Sequence, residues 1–255
     1  MKFAVRTAFA VLVVLAVPGS ALAQNAKDPI EGWNRVVFGF NEGLDKAVLK
    51  PVAEGYRAVV PELVRSGISN VFANIGDGWS AINHLLQGKP VAAAEMTMRV
   101  ATNTLFGIGG LFDVASDLGI ERRTEDFGQT LGRWGLPAGP YLVLPVLGPS
   151  SLRDTAALPI DLQWSASALT DDGATSVGLT VLRIIDVRAS LLSAGKLLDE
   201  IALDKYVFVR DGYLTRRRSQ VYDGEPPATR DDEDEGTAPT TNVPAPAASP
   251  ASAPK

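Results

Sequence analysis

Apolar positions along this chain fall mainly at helical spacing. The clearest set is Val91, Ala94, Met98, Ala101 and Leu105, three or four residues apart, with Glu95 and Arg99 left on other faces. It predicts a helix that ends in Phe106-Gly107-Ile108-Gly109-Gly110-Leu111-Phe112, where the glycines permit positive φ or close backbone approach. Trp33, Val36, Val37 and Phe40 repeat the spacing within residues 31–40. A second helix is predicted over 44–60, stopped by Pro61, and Pro61-Glu62 suits the first turn of a third carrying Leu63, Val64 and Ile68. Gly76-Asp77-Gly78 reads as a turn, followed by a helix to Leu86 that ends at Gly88. Residues 154–172 read as shorter helices broken at Pro159 and at Asp171-Asp172-Gly173. Leu182, Ile185, Ala189 and Leu192 form one stripe of a long helix over 176–203. Asp204 is placed to cap a last helix carrying Val207, Val209, Tyr213 and Leu214. Strand-like alternation is rare and no internal repeat is visible, so the fold class is all-α.

One stretch resists this pattern. Residues 125–154, EDFGQTLGRWGLPAGPYLVLPVLGPSSLRD, are too rich in Gly128, Gly132, Gly135, Gly139, Gly148, Pro137, Pro140, Pro145 and Pro149 for a continuous helix. They are also too apolar, at YLVLPVL, for an ordinary surface loop. An apolar segment with irregular backbone points to a place where chain geometry itself has a role.

Composition narrows the setting. Residues 1–23 have the form of an export signal: Lys2 and Arg6, an apolar run from Ala8 to Val17, a break at Pro18-Gly19, and the small-residue site Ala21-Leu22-Ala23, with cleavage expected before Gln24. That run is too short to span a bilayer comfortably, and no later apolar run reaches spanning length. Residues 225–255 are dominated by Pro, Ala and Thr around an acidic run at 231–235, a composition expected to stay disordered. Residues 24–224 between them suit a single domain. The sequence has no cysteine, which removes disulfides, thiol nucleophiles, thiolate metal sites and a lipidated cysteine, so an exported chain of this kind depends on its own core.

Candidate chemistry is sparse. The net charge is −5 with much of it in the tail, and no basic stripe of the kind nucleic acids require is present. His84 is the only histidine, and the composition favours a packed or surface role for it. There is no GxSxG elbow, GxxxxGK[ST] loop or HExxH pair, and the glycines at 107–110 follow a helix instead of a strand, so they fail the test for a nucleotide loop. Glu125-Asp126 and Asp171-Asp172 are adjacent pairs whose side chains diverge; helix N-termini or solvated turns account for them. Arg216-Arg217-Arg218 suits either anionic headgroups or the C-terminal end of a helix. Asn34, Asn41, Asn74, Asn83 and Asn103, scattered among aromatics, can bond backbone, serve as caps, or face a polar lumen. Neither catalysis, a metal nor a cofactor is indicated.

Several segments in one order resemble the MlaA family, also called VacJ. They are DPIEGWNRVVFGFNEGLDKAVLKPVAEGYRAVVP (28–61), NHLLQGKP (83–90), NTLFGIGGLFDVAS (103–116), the irregular stretch 125–154 and, more loosely, DKYVFVRDGYLTRR (204–217). The resemblance covers nearly all of 28–224. It implies a mostly helical, ring-shaped body in the periplasmic leaflet of the outer membrane of Gram-negative bacteria. A central amphipathic channel would let misplaced outer-leaflet phospholipids reach a periplasmic lipid carrier, without covalent chemistry and in association with a trimeric porin. Phe38, Asn41, Gly109, Gly110, Phe112, Pro140, Tyr141 and Leu144 are the candidates for this lipid route, being aromatic, small or backbone-bending. The family's members typically carry a lipidated cysteine, and here Ala-Leu-Ala-Gln stands at the signal's end instead. Retention is therefore expected from an apolar rim, the porin, or both. Two other functions fit the residues less well: a porin-binding adaptor without its own lipid route, and a phospholipid-remodelling enzyme.

Overall fold

The computed structural model describes residues 28–165 and 169–227; the segment expected to be an export signal (1–23) and, beyond residue 227, the tail expected to be disordered lie outside them. Helix α1 (Glu31–Leu44) passes through one π-helical turn (Asp45–Leu49) into α2 (Lys50–Val59), so the boundary expected at residue 44 is a change of winding within one rod. Pro51 provides the reason: it has no N–H for the carbonyl four residues back, and the wider turn absorbs the interruption. Pro61 ends the rod as expected and opens α3 (Glu62–Leu86).

Helix α3 runs straight through 76–78, which corrects the turn expected there. Asp77 is held by Arg99 and Arg122, and α4 (Pro90–Leu105) packs alongside, Val100 Cγ2 lying at ordinary contact distance, 4.0 Å, from where a Cβ on Gly78 would stand. These tertiary contacts outweigh the weak helix propensity of glycine. The chain reverses between α3 and α4 at Gly88, whose φ of +74° a side chain would resist. After α4 come the short helices α5 (Val114–Asp117) and α6 (Phe127–Arg133).

The irregular stretch then forms an antiparallel hairpin, β1 (Tyr141–Leu144) with β2 (Gly148–Ser151), in the register Tyr141↔Ser151 to Leu144↔Gly148. This hairpin holds the only strands among the described residues. Tyr141 and Val143 point inward and Leu142 and Leu144 lie on the other face.

Helix α7 (Leu152–Gln163) contains Pro159 and continues past it, contrary to the break expected. It is fixed on both sides of the proline: Ser151 caps its start, and Asp161 accepts from Trp79 Nε1 and Phe127 N, both at 2.8 Å. The long helix expected over 176–203 is two, α8 (Gly173–Ser190) and α9 (Leu192–Ile201), separated at Leu191. The break lets Leu192 turn inward against Ala53 and Ala189. The expected cap at Asp204 is present, its carboxylate accepting from Val207 N ahead of α10 (Lys205–Val221). No helix among the described residues is long and apolar enough to cross a membrane.

Candidate functional site

The distribution of polarity is inverted. In α4, Val91, Met98 and Leu105, the stripe that the spacing singled out, are 71%, 55% and 75% exposed, while Arg99 on the opposite face is 0% exposed. Ala94 and Ala101 face outward with the stripe. In α1, Trp33, Val36 and Phe40 are exposed and Asn34 is fully buried. Buried polar residues outnumber buried apolar ones among the described residues, and alanine makes up much of the apolar core. Single exposed apolar residues are ordinary, but a helix such as α4, whose stripe from Val91 to Leu105 faces outward as a whole, needs an apolar surrounding, whereas α1 keeps Val37 of its stripe in the core.

Buried polar groups in such a body need partners, and most of those among the described residues find them in three seams, the Tyr141 hydroxyl and Asn74 Oδ1 being left without a hydrogen bond. Along α1, two asparagines seven residues apart clamp the hairpin. Asn34 Nδ2 donates to Tyr141 O at 2.9 Å and its Oδ1 accepts from Val143 N at 2.9 Å. Asn41 Nδ2 donates to Leu144 O at 2.9 Å and its Oδ1 accepts from Val146 N at 2.8 Å. A two-turn repeat on a helix thus meets consecutive sites along an extended strand. Asn34 also donates to Asp28, and Tyr206 O–H donates to the other Asp28 oxygen. Burial, then that bond and the Asp28 charge, push the Tyr206 phenol far above its usual range; burial beside Asp28 puts Tyr141 at about 12.

The second seam is the corner between α4 and α5. Gly110, at φ +92°, sits where an added Cβ would lie 2.9 Å from Asn74 Nδ2, and a Cβ on Gly107 would meet Phe112 O at 2.2 Å. Asn103 holds the corner together: its O accepts from Gly110 N, its Oδ1 from Ala115 N, and its Nδ2 donates to Asp113. Beneath it, Arg99 bonds Asp77 at 3.3 Å and Asp113 at 2.8 Å, and Arg122 joins both carboxylates. Burial raises the Asp77 pKa against the opposing pull of Arg122 and Arg99. Outside the corner, Leu105, Phe106, Ile108, Leu111 and Phe112 are exposed.

The third seam ties the ends of the irregular stretch to α10. Arg217 donates to both oxygens of Asp126 at 2.6 Å and to Asp154 at 2.8 and 3.0 Å, and Tyr213 O–H donates to Asp154 at 2.6 Å. Gly128 leaves the space, since a Cβ there would fall 2.5 Å from Arg217 Nη2. Burial alone would raise the Asp154 carboxyl, but the Arg217 bonds and charge win and hold it at about 2; Asp126 is lowered by the same balance.

The eight residues singled out for a lipid route therefore fall into two groups. Phe38, Asn41, Pro140, Tyr141 and Leu144 come together at the α1–hairpin seam, where Phe38 stacks edge-on against Tyr206 at 5.6 Å. Gly109, Gly110 and Phe112 belong to the glycine corner. Tyr141 is wholly buried, whereas Phe112 and Gly109 are exposed. His84 is packed, its Nε2–H donating to Arg123 O at 3.0 Å. Sequence reasoning passed over Asp28, Asp77 and Arg99 as structural residues and treated Arg217 as part of a surface cluster. The available signal was position: Asp126, Asp154 and Arg217 all lie within the motif segments, inside or beside apolar runs.

A family model described as MlaA lipoprotein matches residues 26–220. The intermembrane phospholipid transport system lipoprotein MlaA of Shigella flexneri is 37% identical over 212 residues, covering 79% of this chain and 81% of the relative. Its counterpart in Escherichia coli K12 is 36% identical over 211 residues with the same coverage, and that of Haemophilus influenzae 32% over 235 residues, covering 85% and 90%. A solved structure reported on the structural basis for maintenance of bacterial outer membrane lipid asymmetry is similar with a TM-score of 0.67 at 38% identity, over 76% of this chain and 98% of its own. With a family match across most of its length and relatives of this identity, the chain belongs to the MlaA family.

Proposed function

We propose that this protein is a non-enzymatic component of intermembrane phospholipid transport. It removes misplaced phospholipids from the outer leaflet of the outer membrane along an amphipathic route and passes them to a periplasmic carrier, beside a porin trimer. The observation that carries this reading is the inversion of α4, with its apolar stripe outward and Arg99 wholly buried. Such a body is stable when acyl chains cover its exterior, in the manner of helices lying within one leaflet. Irregular backbone at membrane depth persists where protein or a cavity shelters it, and the hairpin and the glycine corner meet that condition through their asparagine bonds. In this reading Phe38, Leu144 and Phe112 supply apolar wall, while Asn41, Pro140, Tyr141, Gly109 and Gly110 hold its shape. The names of the relatives agree with it.

The test has two arms. Protein purified from detergent extracts is expected to carry diacyl phospholipid, identified by mass spectrometry. Deleting the gene is expected to place phospholipid in the outer leaflet, measured with a surface-restricted phospholipase or amine label. An unchanged leaflet together with lipid-free protein overturns the reading.

A further inference from the structure

The π-helical turn Asp45–Leu49 opens onto a cavity of about 170 Å³ between the α1–α2 rod and α9. Turns of this kind recur at functional sites, and this one contributes Asp45 and Lys46 to the lining. Lys46, Lys50, Arg188, Lys196 and Lys205 line the cavity against Glu42, Asp45 and Asp199, an excess of two positive charges. The acids are already committed. Arg188 grips Asp45 with two bonds at 2.5 and 2.8 Å, and Lys205 bonds Glu42 at 3.1 Å and also Asp199. Lys46 shares Glu42 at 3.4 Å. Lys50 and Lys196 have no hydrogen-bonded carboxylate among the described residues. Lys50 acts on Asp199 only through space, helping to lower its pKa after the Lys205 bond has done most of that work. The remaining lining is apolar: Phe38, Leu192 and Leu198.

A small cavity lined by two uncommitted ammonium groups, fixed ion pairs and apolar side chains suits an anion borne on an apolar body. The geometry points to a phosphate-ester site, with Lys50 and Lys196 binding the phosphate and Phe38 and Leu192 meeting the adjoining hydrocarbon. Lysine serves here as a compact point charge that follows a mobile anion without imposing a bidentate geometry. The inference rests on the transport reading where the ester is a phospholipid headgroup, and it assigns that headgroup a place at the α1–α9 junction. A free phosphate ester offers the same chemistry from another source.

The experiment is titration calorimetry on the full chain in a nonionic, phosphate-free detergent. Four probes are used: inorganic phosphate, glycerol 3-phosphate, dihexanoyl phosphatidylglycerol, and the uncharged dihexanoyl glycerol. The expected result is binding of the phospholipid, weakened about tenfold or more by Lys50→Gln/Lys196→Gln and retained by Lys50→Arg/Lys196→Arg, since charged hydrogen bonds are individually worth that much. Weaker binding of the two water-soluble phosphates identifies a lipid headgroup as the source; equal binding identifies a free phosphate site. Should the double variant unfold, Lys196→Gln alone serves, because Lys196 is exposed and holds no partner. Unchanged affinity in the glutamine variants, or dihexanoyl glycerol binding as well as the phospholipid, overturns the site. Endogenous phospholipid that copurifies equally with wild type and variant, alongside unchanged affinity, rejects the site while leaving the transport reading intact. Phosphate binding that depends on the lysines in protein free of copurifying lipid does the reverse.

Discussion

The α1–hairpin seam holds the middle of the irregular stretch and the Arg217 seam holds both its ends, with different chemistry. At the hairpin, Asn34 and Asn41 each donate to one carbonyl and accept from one N–H, so a neutral amide completes the backbone as a strand would. At the other seam one guanidinium satisfies two carboxylates. The neutral seam lies behind Trp33, Val36 and Phe40, on the apolar side of the molecule. The amides that bind the strand carry no charge of their own, the one buried carboxylate beside them being Asp28, whereas a seam built on a buried ion pair must recover a large desolvation cost. The charged seam is the more fragile of the two: intact, its groups satisfy one another, but loss of one partner strands the rest.

The largest effect should therefore follow Arg217→Ala. It leaves Asp126 and Asp154 facing each other half-buried, and a drop in unfolding free energy of about 3–5 kcal/mol is expected in chemical denaturation. Arg217→Lys keeps the charge and loses the fork, so it should fall between the two. Asn34→Ala comes next, at about 2–3 kcal/mol, because it exposes nothing to water yet strips partners from Tyr141 O, Val143 N and Asp28. Should Asn34→Ala prove as costly as Arg217→Ala, the contrast between neutral and ionic seams fails.

The same contrast sharpens with pH. Asp154 titrates at about 2 in the folded protein and Asp126 is also lowered, so both give stability that is present above the unfolded carboxylate value of about 3.9. That stability is lost as pH falls from about 4 through 2, and for Asp154 alone it amounts to about 2 kcal/mol. Asp77 works in the opposite direction: its raised pKa means its contribution improves as pH falls through the folded value. Urea midpoints taken between pH 5 and 2.5 should fall for wild type and stay flatter for Arg217→Ala. Parallel curves would show that the seam does not carry the acid sensitivity.

What could be read in advance divides along the same physical line. Helix α4 was legible because Val91 to Leu105 keep a strict spacing, yet spacing gives a face and not its direction. Only the buried Arg99, paired with residues distant in sequence, shows that the apolar stripe points outward. The helix through 76–78 was hidden because two glycines signal a turn locally, while the contacts that override them come from Arg99, Arg122 and the approach of α4. The hairpin was visible as an anomaly without a shape. Its prolines exclude a helix, but the residues that complete the free edge of its first strand are Asn34 and Asn41, more than a hundred positions earlier. The asparagines themselves were noted with backbone bonding as one of three roles. Choosing among these requires knowing which backbone lies opposite.

The smallest effect is the most local. Asn41 is half-buried, so Asn41→Ala should lower global stability by only about 1 kcal/mol, since water can replace part of what is lost. Its partner Val146 is the more telling group. Val146 has φ of +68°, a conformation that a β-branched residue resists, and the amide of Asn41 binds its N–H at 2.8 Å. Removing the amide frees a strained turn between Leu144 and Gly148, and the Val146 N–H should then exchange with solvent about tenfold faster or more, by hydrogen-exchange measurement. Val146→Gly placed on the Asn41→Ala background relieves the strain and should restore much of the lost stability, because glycine adopts that φ freely. Exchange at Val146 unchanged by Asn41→Ala would mean that the strands hold the turn unaided. The neutral seam would then reduce to Asn34, and the hairpin would depend on a single buried amide.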